Sequence, residues 1–75
     1  MVYPYRIDTV EDLRKLSDLA CREDFPIYIS TDYGQIDARS ILGLFTALGK
    51  DIHLVAPDHA DADDFHKFLD RLRKN

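Results

Sequence analysis

The order of strand-like and helix-like segments is the feature that most constrains how this 75-residue chain folds. Runs rich in β-branched and aromatic residues predict strands, and apolar residues that recur every three or four positions predict helices. In chain order we predict a strand at 2–7, a helix from residue 10 that ends before Phe25, strands at 27–31 and 35–38, a helix at 41–48, a strand at 51–56 and a helix after the acidic stretch 58–64. The order β-α-β-β-α-β-α indicates one sheet of four strands with the helices on one face.

Residues that break or cap regular structure support these boundaries. Pro4 lacks an N–H group, which indicates that the first strand is irregular at this position or lies at a sheet edge. Gly34 allows a tight turn with positive φ, and Gly49 suits a left-handed end to the second helix.

The first helix has two candidate caps, Asp8 and Thr9. Asp8 precedes Glu11 by three residues, a spacing that resembles a capping box. The apolar stripe that we predict to be buried consists of Val10, Leu13, Leu16 and Ala20.

Composition and charge exclude several classes of function. A chain of this length forms one small domain, residues 1–75, with a thin core. The net charge of −4 and the scattered basic residues argue against nucleic-acid binding. No run of about 20 apolar residues is available to cross a membrane. The single cysteine excludes an intramolecular disulfide, so we expect a cytoplasmic protein.

The segment from Gly34 to Leu44, which reads Gly-Gln-Ile-Asp-Ala-Arg-Ser-Ile-Leu-Gly-Leu, resembles HPr, the histidine-containing phosphocarrier family of the bacterial sugar phosphotransferase system. In that family a turn ending in Gly leads through a short strand to an Ala-Lys-Ser-Leu/Ile type of sequence that opens a short helix. The resemblance covers nearly the whole chain. It implies an α+β open-faced β-sandwich, a four-stranded antiparallel sheet with three helices on one side. A ferredoxin-like sandwich shares the first six elements of this order, and strand order distinguishes the two.

The resemblance fails at the residues that carry the family's chemistry. The family phosphorylates a histidine within a Gly-Ile/Leu-His-x-Arg-Pro motif at the start of the first helix, where free N–H groups stabilise the phosphoryl anion. Aligned without gaps, Thr9 stands at the histidine position, Glu11 at the arginine and Asp12 at the proline. Carboxylates that repel a phosphate thus replace a cation. We therefore predict that Thr9 is a helix cap and that the protein is neither a histidine phosphocarrier nor an enzyme.

No other residues replace the missing chemistry. His53 lies in a predicted strand, His59 in the loop after it and His66 on the third helix. The resemblance implies that the loop of His59 lies at the end of the sheet opposite the family's active site. The acidic and histidine residues between 58 and 66 lack the spacing of calcium or zinc sites, so we predict no metal and no cofactor.

Two features of the second helix remain as candidate sites. Ser40 aligns with the serine that a kinase phosphorylates in the HPr of low-GC Gram-positive bacteria. A simple N-cap is the favoured explanation because it needs no partner, and the two roles are compatible. Leu42, Gly43 and Phe45 are predicted to form its exposed side, which in the family docks on the sugar-transport enzymes.

Three hypotheses follow. In the first, the protein is an HPr-like binding or regulatory module whose partners are phosphotransferase-system enzymes or a regulator. In the second, it is a regulator switched by phosphorylation of Ser40. In the third, it is a ferredoxin-like structural or ligand-binding domain unrelated to sugar transport.

Overall fold

The computed structural model describes residues 1–74 and confirms the predicted order of elements. The strands are β1 (Val2–Arg6), β2 (Tyr28–Thr31), β3 (Gly34–Asp37) and β4 (Asp51–Val55), and the helices are α1 (Val10–Cys21), α2 (Ile41–Phe45) and α3 (Ala62–Arg73).

The strands form one antiparallel sheet in the order β1-β4-β2-β3. In the two pairs that β4 forms, Tyr5 of β1 lies opposite Ile52, and Ser30 of β2 lies opposite His53. Because β1 pairs only with β4, it lies at the sheet edge, which confirms the position predicted from Pro4. This order excludes the ferredoxin-like alternative, in which the first strand lies between the third and the fourth.

All three helices cover one face of the sheet, so the predicted α+β open-faced sandwich is confirmed. Burial alternates along β4, where Ile52 and Leu54 are buried while Asp51 and His53 are exposed on the uncovered face. The helices supply the other half of the core, chiefly Leu13, Leu16, Leu44, Phe65, Phe68, Leu69 and Leu72. α1 contacts both α2 and α3 and therefore forms the centre of the helical layer.

The start of α1 differs by one residue from the capping box suggested by the sequence. Thr9 is the cap, and its Oγ1 accepts a hydrogen bond from the N–H of Asp12 at 3.0 Å. Asp8 instead accepts a hydrogen bond from Nε of Arg6 at 2.8 Å, so the predicted capping box of Asp8 with Glu11 is wrong. Val10, predicted to be buried, is exposed, because at 100° per residue it lies about 120° from Leu16 around the helix axis.

The second helix is shorter than predicted. It ends at Phe45, and residues 46–48 continue as tight turns whose N–H groups bond to the third preceding carbonyl. Gly49 has the expected left-handed backbone, with φ of 78°, but its N–H donates to the carbonyl of Ile7 at 2.7 Å. A tertiary hydrogen bond therefore helps to end the helical segment.

Candidate functional site

The first candidate site is the start of α1, where a hydroxyl and carboxylates surround the free N–H groups of the helix. Thr9 is exposed, but its Oγ1 is already used as the cap of α1. Glu11 and Asp12 lie in the first turn, where carboxylates stabilise the helix through its dipole. The same negative charges repel any further anion, so this helix start is poorly suited to holding a phosphoryl group.

The guanidinium group of Arg6, which precedes α1, is paired with two carboxylates. Arg6 donates through Nε to Asp8 at 2.8 Å and through a terminal nitrogen to Asp51 at 3.3 Å. These hydrogen bonds, the one to Asp8 first, raise the pKa of the Arg6 guanidinium. An incoming anion would therefore have to displace a carboxylate to reach this side chain.

All three histidines lie outside α1. His53 is on the uncovered face of β4, opposite Pro4 and Ser30. His59 follows β4 at the sheet end where Met1 bonds to Ala56. His66 is exposed on α3 beside a shallow depression. The substitution of Thr9 for the family's histidine remains a prediction of the alignment.

The second candidate site is the start of α2. Ser40 caps this helix as predicted, accepting a hydrogen bond from the N–H of Gly43 at 3.1 Å, and it is exposed. The first turn of α2 contains no acidic residue. The preceding Arg39 forms a bidentate pair with Asp37, with N···O distances of 3.0 and 2.7 Å. These hydrogen bonds lower the pKa of the Asp37 carboxyl.

The third candidate is a group of exposed apolar side chains on α1 and α2, here called the α1–α2 patch, which consists of Val10, Ile41, Leu42 and Phe45. Leu42 is 83% exposed, and Phe45, Ile41 and Val10 are 45%, 43% and 43% exposed. Hydrogen bonds at both ends of α2 arrange it antiparallel to α1. At one end Ser17 donates to the carbonyl of Arg39, and at the other Gly49 donates to that of Ile7. The second half of α2 therefore lies beside the first turn of α1.

Gly43 does not belong to this surface, contrary to its predicted exposure. It is half-buried, and a Cβ atom placed on it would clash with Cγ2 of Ile36. The absence of a side chain instead lets α2 pack closely against β3.

The sequence reasoning missed Ile41 and Val10 as members of the patch. One signal could have identified Ile41. A five-residue helix with the sequence Ile-Leu-Gly-Leu-Phe can bury only one side, so apolar residues must remain exposed on the other. In α2 only Leu44 is buried.

A cleft of about 820 Å³ adjoins the patch, and no sequence feature predicted it. It lies between the β2–β3 turn and the connection from α2 to β4. Its lining includes Arg6, Tyr33, Ile36, Thr46, Lys50 and Ile52. Tyr33 is 91% exposed, and Nζ of Lys50 lies 5.5 Å from the centroid of its ring.

Residues 1–74 contain neither a metal-binding cluster nor a membrane-spanning helix. No three His, Cys, Asp or Glu side chains in this range are arranged to hold a metal ion. None of the helices in the same range has both the length and the apolar character that a membrane-spanning helix needs.

Comparison with solved structures identifies the fold. HPr-C-His from Thermoanaerobacter tengcongensis superposes with a TM-score of 0.73 over 100% of this chain and 98% of its own, at 14% sequence identity. The chain has the HPr fold. The phosphocarrier protein HPr from Bacillus anthracis str. Ames gives a TM-score of 0.68 over 95% of this chain and 94% of its own, also at 14% identity. No protein-family model and no curated protein matches the sequence.

Proposed function

We propose that this HPr-fold protein is a cytoplasmic binding module related to the sugar phosphotransferase system, and that it docks on a protein partner without carrying phosphate on a histidine. The α1–α2 patch is the observation that carries the proposal. It leaves four large apolar side chains exposed on two neighbouring helices.

The exposed patch supports docking because clustered apolar side chains at a protein surface commonly mark interaction sites. Of the six large apolar side chains exposed in residues 1–74, four belong to the patch. Leu42 and Phe45 are the two most exposed side chains of the patch. Apolar and aromatic residues are characteristic of interface cores.

The charge at the start of α1 supports the absence of histidine phosphotransfer. Thr9 offers a hydroxyl that already caps the helix, and Glu11 and Asp12 place two carboxylates in the first turn. A phosphoryl group here would meet like charges, and the nearby guanidinium of Arg6 is already paired. The protein would therefore act as a binding module and not as an enzyme.

A competition assay tests both parts of the proposal. Phosphoenolpyruvate, the first enzyme of the phosphotransferase system and an authentic HPr are mixed with increasing amounts of this protein. We expect slower phosphorylation of HPr and no acid-labile phosphate on this protein by mass spectrometry. The variants L42D and F45D should lose the inhibition. V2D is the matched control, because Val2 is an exposed apolar residue on β1, outside the patch.

The two parts fail separately. Phosphate found on His53, His59 or His66 would overturn the statement that the protein is not a carrier. Inhibition that is absent, or that survives both L42D and F45D, would overturn docking through the patch.

A second candidate function is regulation through phosphorylation of Ser40. It is favoured by the exposure of Ser40 and by the absence of acids in the first turn of α2, where a phosphate would meet no like charge within the helix. Incubation with HPr kinase and ATP should add one phosphate to the protein and none to S40A. An unmodified protein, under conditions that label authentic HPr, removes this candidate.

A further inference from the structure

The cleft beside the α1–α2 patch has the size and lining of a binding site. Its volume of about 820 Å³ lies within the range of about 300–1,000 Å³ that is usual for ligand pockets. Ile36 and Ile52 contribute apolar side chains to its lining, and the half-buried Ile36 is the more accessible of the two because Ile52 is buried. The exposed ring of Tyr33 adds an aromatic wall.

The charges in the cleft leave one cation available. Arg6 and Asp51 line the cleft, but they pair with each other. Lys50 also lines it and forms no ion pair within residues 1–74. Its ammonium group lies over the ring of Tyr33 at 5.5 Å. Asp32 is a second carboxylate of the lining, and it forms no ion pair with Lys50. An incoming carboxylate could therefore pair with Lys50 without displacing another acid.

The cleft is continuous along the chain with the α1–α2 patch. Thr46 lines the cleft and directly follows Phe45, which belongs to the patch. A protein that covers Leu42 and Phe45 would therefore reach the mouth of the cleft. This continuity favours a segment of a protein partner over a free small molecule.

We infer that the cleft anchors the docked partner by accepting an aromatic side chain next to a carboxylate. The ring packs on Ile36, Ile52 and Tyr33, and the carboxylate pairs with Lys50. Aromatic pairs contribute beyond their buried area, and an exposed ion pair adds a smaller, salt-sensitive amount. This inference rests on the proposed function, because it names the chemistry of the same partner.

Short blocked peptides test the cleft without the partner. The backbone amide resonances of the protein are followed by NMR during titration with acetyl-Phe-Asp-amide, acetyl-Phe-Asn-amide and acetyl-Ala-Asp-amide. We expect saturable shifts at Tyr33, Thr46 and Lys50 with the first peptide. Replacing Asp by Asn should weaken binding by about two- to fivefold, and replacing Phe by Ala should abolish saturation.

Matched variants connect this preference to Lys50. K50Q should remove the difference between the Asp and Asn peptides, whereas K67Q should preserve it, because Lys67 is exposed on α3 and does not line the cleft. Equal affinity of the two peptides for the unmodified protein, or no saturable shift with either, would overturn the inference.

Two further outcomes separate the possible errors. Benzoate that binds as tightly as the Phe-Asp peptide would show a site for small aromatic acids and overturn a peptide anchor. If the peptides fail while L42D still abolishes competition with HPr, then the cleft inference is wrong and the proposed function stands.

Discussion

Helices α1 and α2 begin with the same hydrogen bond in different surroundings. Thr9 and Ser40 each accept a hydrogen bond from the N–H of the third following residue, at 3.0 and 3.1 Å. That third residue is the acidic Asp12 in α1 and the half-buried Gly43 in α2. The comparison teaches that a cap is a local feature, whereas neighbouring charge and packing decide what else a helix start can accept.

Charge is the first difference between the two helix starts. α1 has two acids in its first turn and α2 has none. A negative group added at Ser40 would therefore interact with the free N–H groups of α2, while one added at Thr9 would also meet Glu11 and Asp12. Packing is the second difference, because Gly43 lies against Ile36 of β3.

The largest effect expected is that of G43A. The new methyl group would clash with Cγ2 of Ile36, and overpacking of this kind costs about 1–3 kcal/mol, which exceeds the gain in helix propensity of alanine over glycine. Denaturant unfolding should show a clear loss of stability. D12A, at the equivalent position of α1, is the comparison and should lose less. The destabilisation by G43A should shrink in an I36A background; an unchanged loss there would contradict the packing account.

The next effect is the loss of either cap. T9A and S40A should each lower the free energy of unfolding by about 1 kcal/mol, because each leaves an N–H group without its acceptor. Thermal or denaturant unfolding measures the loss, and T9S and S40T should restore most of it. Two losses that differ several-fold would show that the caps are not equivalent.

A smaller effect should appear when a charge is added at each cap. Asparagine and aspartate cap helices about equally well, so comparing Asp with Asn isolates the charge. We expect the stability difference between S40D and S40N to favour aspartate by about 0.5 kcal/mol more than the difference between T9D and T9N. High salt should reduce this gap. The same gap at high salt, or one of opposite sign, would contradict the role assigned to Glu11 and Asp12.

The smallest effect concerns pH and the pair that precedes α2. Hydrogen bonds from Arg39 lower the pKa of Asp37, so the folded state favours the ionised carboxylate. This stability is fully present above the usual aspartate pKa of about 3.9, and it is lost as pH falls through the lowered pKa of the folded state. Unfolding followed between pH 7 and 2 should show a weaker acid dependence in D37N and R39Q. The double variant should show no further change; an additive change would mean that the two groups act separately.

Local sequence signals predicted the elements because each depends on neighbouring residues. Pro4 indicated an edge strand, Gly34 a turn with positive φ and Ser40 a cap, and the structure confirms all three. The capping box was wrong because Thr9, the other candidate, caps α1, while Asp8 accepts a hydrogen bond from Arg6.

The candidate site was less predictable because its members come from separate parts of the chain. Leu42 and Phe45 were predicted to be exposed, and they are. Val10 was predicted to be buried and is exposed. Gly43 was predicted to be exposed and is half-buried, because it packs against Ile36 of β3. The cleft was missed entirely, because Tyr33 and Lys50 approach only when the β2–β3 turn and the start of β4 meet.

The sequence by itself determined the order of strands and helices, the cap of α2, the turn at Gly34 and the acidic start of α1, because these depend on residues within a few positions of one another. Only the tertiary structure decided the strand order β1-β4-β2-β3, the close packing of Gly43 against Ile36 and the existence of the cleft. These depend on contacts between distant residues, such as Gly49 with Ile7 and Lys50 with Tyr33, for which the chain carries no local signal.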